Sequence, residues 1–295
     1  MEMPDRTDDW GEHIPSGHAI GAGLRVLLLA SDVPLFACVA AIEEINAVRN
    51  GPLVLAGVAT DAVMDPKARI SAGKRLWQHY SPEQCRLSYE RTRSYCTERG
   101  TAFFSGSIHA SPFLDWMETC KPDIILSAFY GQLIPEGILR SPRLGAWNVH
   151  PSDTQHGIRG PRPFLDTIEA GLKQANGHLG KVVVHELDPG FDEGRVVIET
   201  PGLPFHDCDG VLPANPLHIG FKFCIYAYPV LAKALLATLL DAGRDFTPFQ
   251  IAYSQAVAKQ LKAYRYSGHI GFSTAPALIR RMRDCLQQND VEPDR

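Results

Sequence analysis

The sequence predicts an α/β fold, with a mostly parallel central sheet flanked by helices and a short helical tail at the C-terminus. Three observations carry this. Leu24–Ala30 and Leu53–Thr60 are unbroken apolar runs of strand length, which suits strands covered on both faces. Between them, Leu35–Val48 carries apolar residues at helical spacing, so the opening reads strand, helix, strand. Apolar runs at Ile124–Phe129 and Ala146–His150 continue the pattern, and a β-α-β order predicts parallel strands joined by right-handed crossovers.

Taken in order, residues 1–23 are polar and glycine-containing and are expected to be a loose arm ahead of a main domain at 24–243. The turn after the first strand, Ser31-Asp32-Val33-Pro34, has no glycine. A G-x-G-x-x-G dinucleotide fingerprint is therefore missing where it would have to lie, which argues against the usual nicotinamide or flavin enzyme. From Asp61 to Gly100 the chain is polar and charged, with a helix expected from Pro82 to about Glu98 as an exposed excursion. Thr101–Ser105 reads as a short strand, and Ser111 as the cap of a helix starting at Pro112 and reaching Cys120. Past the strand at Ile124 comes the turn Tyr130-Gly131-Gln132-Leu133-Ile134-Pro135, whose glycine lets the backbone approach another group closely.

After Ala146–His150, a polar loop (Asp153–Gly160) leads to a helix expected over Arg162–Gly171. Lys181–Leu187 and Arg195–Thr200 read as paired strands around a glycine-bounded turn that carries Asp192. Leu217–Leu240 is expected to be helical with a kink at Pro229. The tail at 244–295 holds one basic helix, Ala275–Gln287.

Composition narrows the function classes. A hydrophobic fraction of 45% with 21% charged residues is that of an ordinary globular protein, and 33 acidic against 29 basic residues give no footprint for nucleic acid. Seven dispersed cysteines without a C-x-x-C pair read as reduced thiols in a cytoplasmic protein. The acidic N-terminus lacks the features of a signal peptide, and Phe223–Leu240, broken by Pro229 and Lys233, reads as a buried helix rather than a membrane span. No histidine or cysteine spacing suits zinc, so no metal is expected, and no G-x-S-x-G elbow is present.

The chemistry is expected at Trp147-Asn148-Val149-His150-Pro151-Ser152. Side chains alternate along a strand, so Asn148 and His150 share a face, and Pro151 ends the strand with His150 at its C-terminal rim. Ligands bind at that rim in open α/β sheets. With Asp192 brought over by a crossover, an amide donor, an imidazole and a carboxylate make a workable set for acyl transfer to an amine.

Several segments resemble the formyltransferases that use 10-formyltetrahydrofolate, a group including the glycinamide ribonucleotide, methionyl-tRNA and nucleotide-aminosugar enzymes. Asn148-Val149-His150-Pro151-Ser152 resembles their N-(I/V)-H-P-S motif, and Arg159-Gly160-Pro161 the R-G-(A/P) that follows. Gly180 to Gly194 resembles the segment whose second aspartate is catalytic, and Phe129 to Pro135 the turn beside the folate.

The resemblance implies a Rossmann-like formyltransferase domain. Asn148 would stabilise the oxyanion, His150 would be the general acid/base, and Asp192 would set the histidine and a water. Backbone groups around Leu133, Ile134, Leu187, Asp188, Gly190 and Phe191 would hold the pterin, with Tyr130, Gly131 and Gln132 shaping its pocket. The donor would leave as tetrahydrofolate, with no metal implied.

The loop after Ser152 departs from the family pattern. Asp153 and His156, with Arg159, are its candidate contacts to a polar amine substrate. Gly268–Ser273 resembles the linker that leads into a C-terminal barrel in tRNA and aminosugar members, and the remaining chain predicts no room for that barrel. The expected reaction is formyl transfer to a small-molecule amine or hydroxylamine, such as an aminosugar nucleotide or a hydroxyornithine-type side chain of a siderophore. The alternatives are a methionyl-tRNA formyltransferase-like enzyme, a 10-formyltetrahydrofolate hydrolase and a folate-binding module. Nucleic acid and membrane are not expected partners; a homodimer is the candidate assembly.

Overall fold

The computed structural model describes residues 11–15, 23–61, 82–151, 179–190, 192–213, 217–245, 247–266 and 275–289. Its strands are β1 (Gly11–Ile14), β2 (Leu24–Ala30), β3 (Leu53–Thr60), β4 (Ala102–Gly106), β5 (Ile124–Ala128), β6 (Gly145–His150), β7 (Leu179–Gly180), β8 (Val183–Glu186), β9 (Val196–Glu199), β10 (Leu203–Pro204) and β11 (Phe249–Gln250). The helices are α1 (Asp32–Arg49), α2 (Pro82–Arg99), α3 (Ser111–Cys120), α4 (Glu136–Leu139), α5 (Leu217–Tyr226), α6 (Tyr228–Ala242), α7 (Gln255–Ala263) and α8 (Ala275–Gln288).

Among the described residues the main sheet runs β1-β4-β3-β2-β5-β6-β8-β9-β11. Its middle, β4-β3-β2-β5-β6, is parallel throughout. The chain order along these strands reverses between β2 and β5, the signature of a doubly wound, Rossmann-like sheet. Beyond β6 the sheet changes character: β8 pairs antiparallel with β6, and β9 antiparallel with β8.

The unbroken apolar runs are explained by burial on both faces. Val26, Leu28 and Ala30 of β2 face the cluster built with Phe36 and Ile42 of α1 and Leu231 and Leu235 of α6. Leu27 and Leu29 face the opposite cluster with Phe104, Phe113 and Trp116. On that side α3 lies so close to the sheet that a Cβ at Gly57 would come within 2.9 Å of the Cys120 sulfur. α1 ends on Asn50 in the left-handed region at φ 59°. The turn into β3 is then clamped by Asn46, whose Nδ2 donates to the Leu53 carbonyl (2.8 Å) and whose Oδ1 accepts from the Leu53 N–H (2.9 Å).

Several boundaries differ from the sequence expectation. Residues 11–14, expected in a loose arm, form an antiparallel edge strand on β4. Glu12 on that strand accepts from Tyr89 and Arg93 of α2. Ser111 is inside α3 and the capping position is Ala110, with Pro112 in the first turn setting the start instead. The expected kink at Pro229 is a break at Ala227, where α5 and α6 meet at 41°. Proline is tolerated in the first turn of a helix, so α6 starts just before it.

The segment after residue 244 is built into the domain. β11 adds to β9 in parallel, and α8 sets Ile279, Met282 and Leu286 into the core beside α1. The loop 153–160 and the helix expected at 162–171 lie outside the described residues. Among the described residues no single helix is long and apolar enough to cross a membrane.

Replacing Asn46 with Ala removes both bonds that clamp the turn, and should lower unfolding free energy by about 1–3 kcal/mol. Urea denaturation of the two proteins measures this.

Candidate functional site

The site grows from the register of one strand pair. Trp147 and Val149 of β6 point into the core, so Asn148 and His150 project from the other face. Asn148 lies directly opposite His185 of β8. Its Nδ2 reaches 3.2 Å from His185 Nε2, while the His185 Nδ1–H donates to the Glu186 carbonyl at 2.8 Å. With Nδ1 as the donor, Nε2 of a neutral His185 accepts from Asn148.

Asp192 arrives on a turn pressed hard against β8. A Cβ at Gly194 would stand 1.7 Å from the Glu186 carbonyl oxygen, so only glycine fits this approach. Asp192 is itself left-handed, at φ 52°. Its Oδ1 accepts from Asn148 Nδ2 at 3.2 Å and lies 3.3 Å from His185 Nε2, and its Oδ2 lies 3.6 Å from His150 Nε2. Asn148, His150, His185 and Asp192 thus form one cluster at the C-terminal end of the parallel sheet.

Burial governs its electrostatics. The His150 side chain is 8% exposed. Burial pushes its pKa down to about 4, a shift that the charge of Asp192 opposes and that of His185 reinforces. His150 is therefore a neutral imidazole at neutral pH, and its 3.6 Å approach to Asp192 is too long for a hydrogen bond. Its Nε2 and Asn148 Oδ1 are buried without hydrogen-bond partners among the described residues. The two contacts of Asn148 Nδ2 both lie within the cluster, to His185 and to Asp192. Donation to an oxyanion would require one of them to be released.

The turn after β5 lies beside this cluster in the fold but has its own anchor. Gly131 N–H donates to Asp61 Oδ2 at 2.8 Å, and Ser31 donates to Asp61 Oδ1 at 2.8 Å. Gln132 accepts from the Ile108 N–H (3.0 Å) and donates to the Gly106 carbonyl (2.9 Å), so its amide braces the turn. Tyr130 is half-buried, with desolvation of its hydroxyl raising its pKa well above the usual value, and Ile134 is buried while Leu133 is 37% exposed.

A cavity of about 350 Å³ is lined by Leu187 and Asp188 together with Leu139, Arg140 and Arg244. Asp188 Oδ1 is buried with no hydrogen-bond partner among the described residues. Gly190 precedes the Asp192 turn, while Phe191, Asp153, His156 and Arg159 lie outside the described residues.

Residues 66–202 match the family described as "Formyl transferase". Over that segment, a little under half of its length, the chain is similar to the formyl transferases. Among curated relatives it is similar to a methionyl-tRNA formyltransferase of Ralstonia pickettii, at 27% identity over 59% of this chain and 49% of the relative. One from Nitrosomonas eutropha is 35% identical over 48% of this chain and 43% of the relative. The chain spans about half the length of these curated relatives or less. Among solved structures, a phosphoribosylglycinamide formyltransferase from Anaplasma phagocytophilum aligns with a TM-score of 0.48 and 15% identity, over 74% of this chain and 88% of that one.

Two site residues were not singled out from sequence. His185 had a signal: it sits in the strand before Asp192, but its role depends on β8 running antiparallel to β6. Asp61 had only its place at the end of an apolar strand. Gly194→Ala should force the Asp192 turn off β8 and cost about 1–3 kcal/mol, as overpacking does. Urea denaturation gives the loss, and altered histidine ring signals in NMR would report the displaced carboxylate.

Proposed function

We propose that the chain transfers a formyl group from 10-formyltetrahydrofolate to the amine or hydroxylamine of a small molecule, an aminosugar nucleotide or hydroxyornithine-type acceptor. The observation that supports this reading best is the buried cluster of Asn148, His150 and Asp192, which falls within the segment matching the formyl transferases. The donor would supply an activated formyl carbon and leave as tetrahydrofolate. Apolar Leu133, Ile134 and Leu187 suit a flat ring, and the unpartnered Asp188 oxygen suits its N–H groups.

In this reading each residue has one task. The neutral His150 accepts the proton that the attacking amine loses as its nitrogen bonds to the formyl carbon, and returns that proton to the leaving nitrogen. Asp192, fixed by Asn148, stabilises the imidazolium while it carries the proton. Asn148, released from its contact to His185, donates to the oxygen where negative charge develops. Tyr130, Gly131 and Gln132 shape the donor's side of the site through the Asp61 anchor. Asp153, His156 and Arg159 are proposed contacts to the acceptor. The setting is cytoplasmic and the assembly a homodimer.

A net charge of −4 favours a small acceptor over tRNA. Methionyl-tRNA formylation is the second reading, supported by the names of the curated relatives. Incubation with 10-formyltetrahydrofolate and an amine panel should yield a product heavier by one carbonyl unit in mass spectrometry. His150→Ala and Asp192→Ala should each lower turnover about 100-fold or more while folate still binds. Wild-type turnover in either variant overturns the assignment, and tight, salt-dependent tRNA binding would favour the second reading.

A further inference from the structure

His150, His185 and Asp192 present one ligand atom each within 4.8 Å of one another. They come from β6, β8 and the turn after β8, which is why no spacing in the sequence announces them. His185 Nε2 lies 3.3 Å from Asp192 Oδ1, and His150 Nε2 lies 3.6 Å from the other carboxylate oxygen, Oδ2. Around a tetrahedral zinc ion with ordinary Zn–N and Zn–O bonds, ligand atoms stand about 3.3–3.5 Å apart. His185 is oriented as metal-bound histidines are: its Nδ1 donates to the Glu186 carbonyl, so Nε2 keeps its lone pair turned to the cluster. Asn148 holds the carboxylate in the same way, through its contact to Asp192 Oδ1. The buried His150 Nε2 has no hydrogen-bond partner among the described residues and faces the same carboxylate.

We propose that His150, His185 and Asp192 bind one borderline divalent transition-metal ion, Zn²⁺ being the best match, and that this ion holds the site in an inactive state. Two imidazoles and one carboxylate favour zinc over magnesium or calcium, which prefer all-oxygen shells. Binding replaces the Asn148 contact to His185 with a metal–nitrogen bond. It also engages the one nitrogen of His150 that faces Asp192, so that nitrogen no longer accepts a proton. The binding half of the proposal stands on geometry alone; the inactivation half rests on the formyl transfer proposed above.

Co²⁺, a spectroscopic substitute for zinc, tests the site on the full chain after chelator treatment. Titration should give saturable visible absorption at one ion per chain, without the near-ultraviolet bands of cobalt–thiolate bonds. Zn²⁺ should displace it. His185→Ala and Asp192→Asn, shown by circular dichroism to be folded, should each weaken Co²⁺ binding about 10-fold or more.

No saturable binding, thiolate bands, or unchanged affinity in both folded variants would overturn the site. Where formyl transfer is observed, stoichiometric Zn²⁺ should abolish it and chelator should restore it; full activity with zinc bound would overturn the inactive state. Metal binding in a protein that transfers no formyl group to any amine would leave the site standing and remove the proposed function instead.

Discussion

The antiparallel pairing of β6 with β8 is the constraint on which the site depends. From β4 through β6 the sheet is parallel, and its neighbouring strands come from distant crossovers. At β8 the direction reverses, and Asn148 comes to face His185 across the ladder. The turn that follows must fold back over β8, and Gly194 allows it to do so against the Glu186 carbonyl. A one-residue slip in this register would turn His185 to the opposite face and dissolve the cluster.

Burial then decides the chemistry. His150 is buried away from water, and desolvation outweighs the nearby carboxylate. The result is a neutral imidazole held beside an acidic group, an arrangement suited to moving a proton. Asp32, the first residue of α1, shows the same balance: burial raises its pKa to about 6 although Arg91 contacts it at 2.8 Å.

Much of this was legible in the sequence, and the rest was not for identifiable reasons. Leu24–Ala30 and Leu53–Thr60 are strands with the limits the apolar runs predict, because burial on both faces keeps them apolar except at Arg25 and Thr60. Asn148, His150 and Asp192 could be paired in advance, since alternation fixes a shared face and the chain between them is long enough to return. His185 could not, because its contact depends on strand direction, which alternation does not encode. Residues 11–14 look like an arm since their pairing with β4 uses backbone groups and few apolar side chains. Asp61, buried and bonded to Ser31 and Gly131, reads as a strand-end polar residue until the turn after β5 is seen to close on it.

The most direct test of the buried cluster is nitrogen NMR of the histidine rings followed from neutral to acidic pH. His150 should stay neutral well below 6.5 and titrate near 4, and His185 should carry its proton on Nδ1. In Asp192→Asn the His150 transition should move lower still, since the lost carboxylate charge opposes the effect of burial. A His150 ring that titrates near 6.5 and ignores Asp192 would contradict the account.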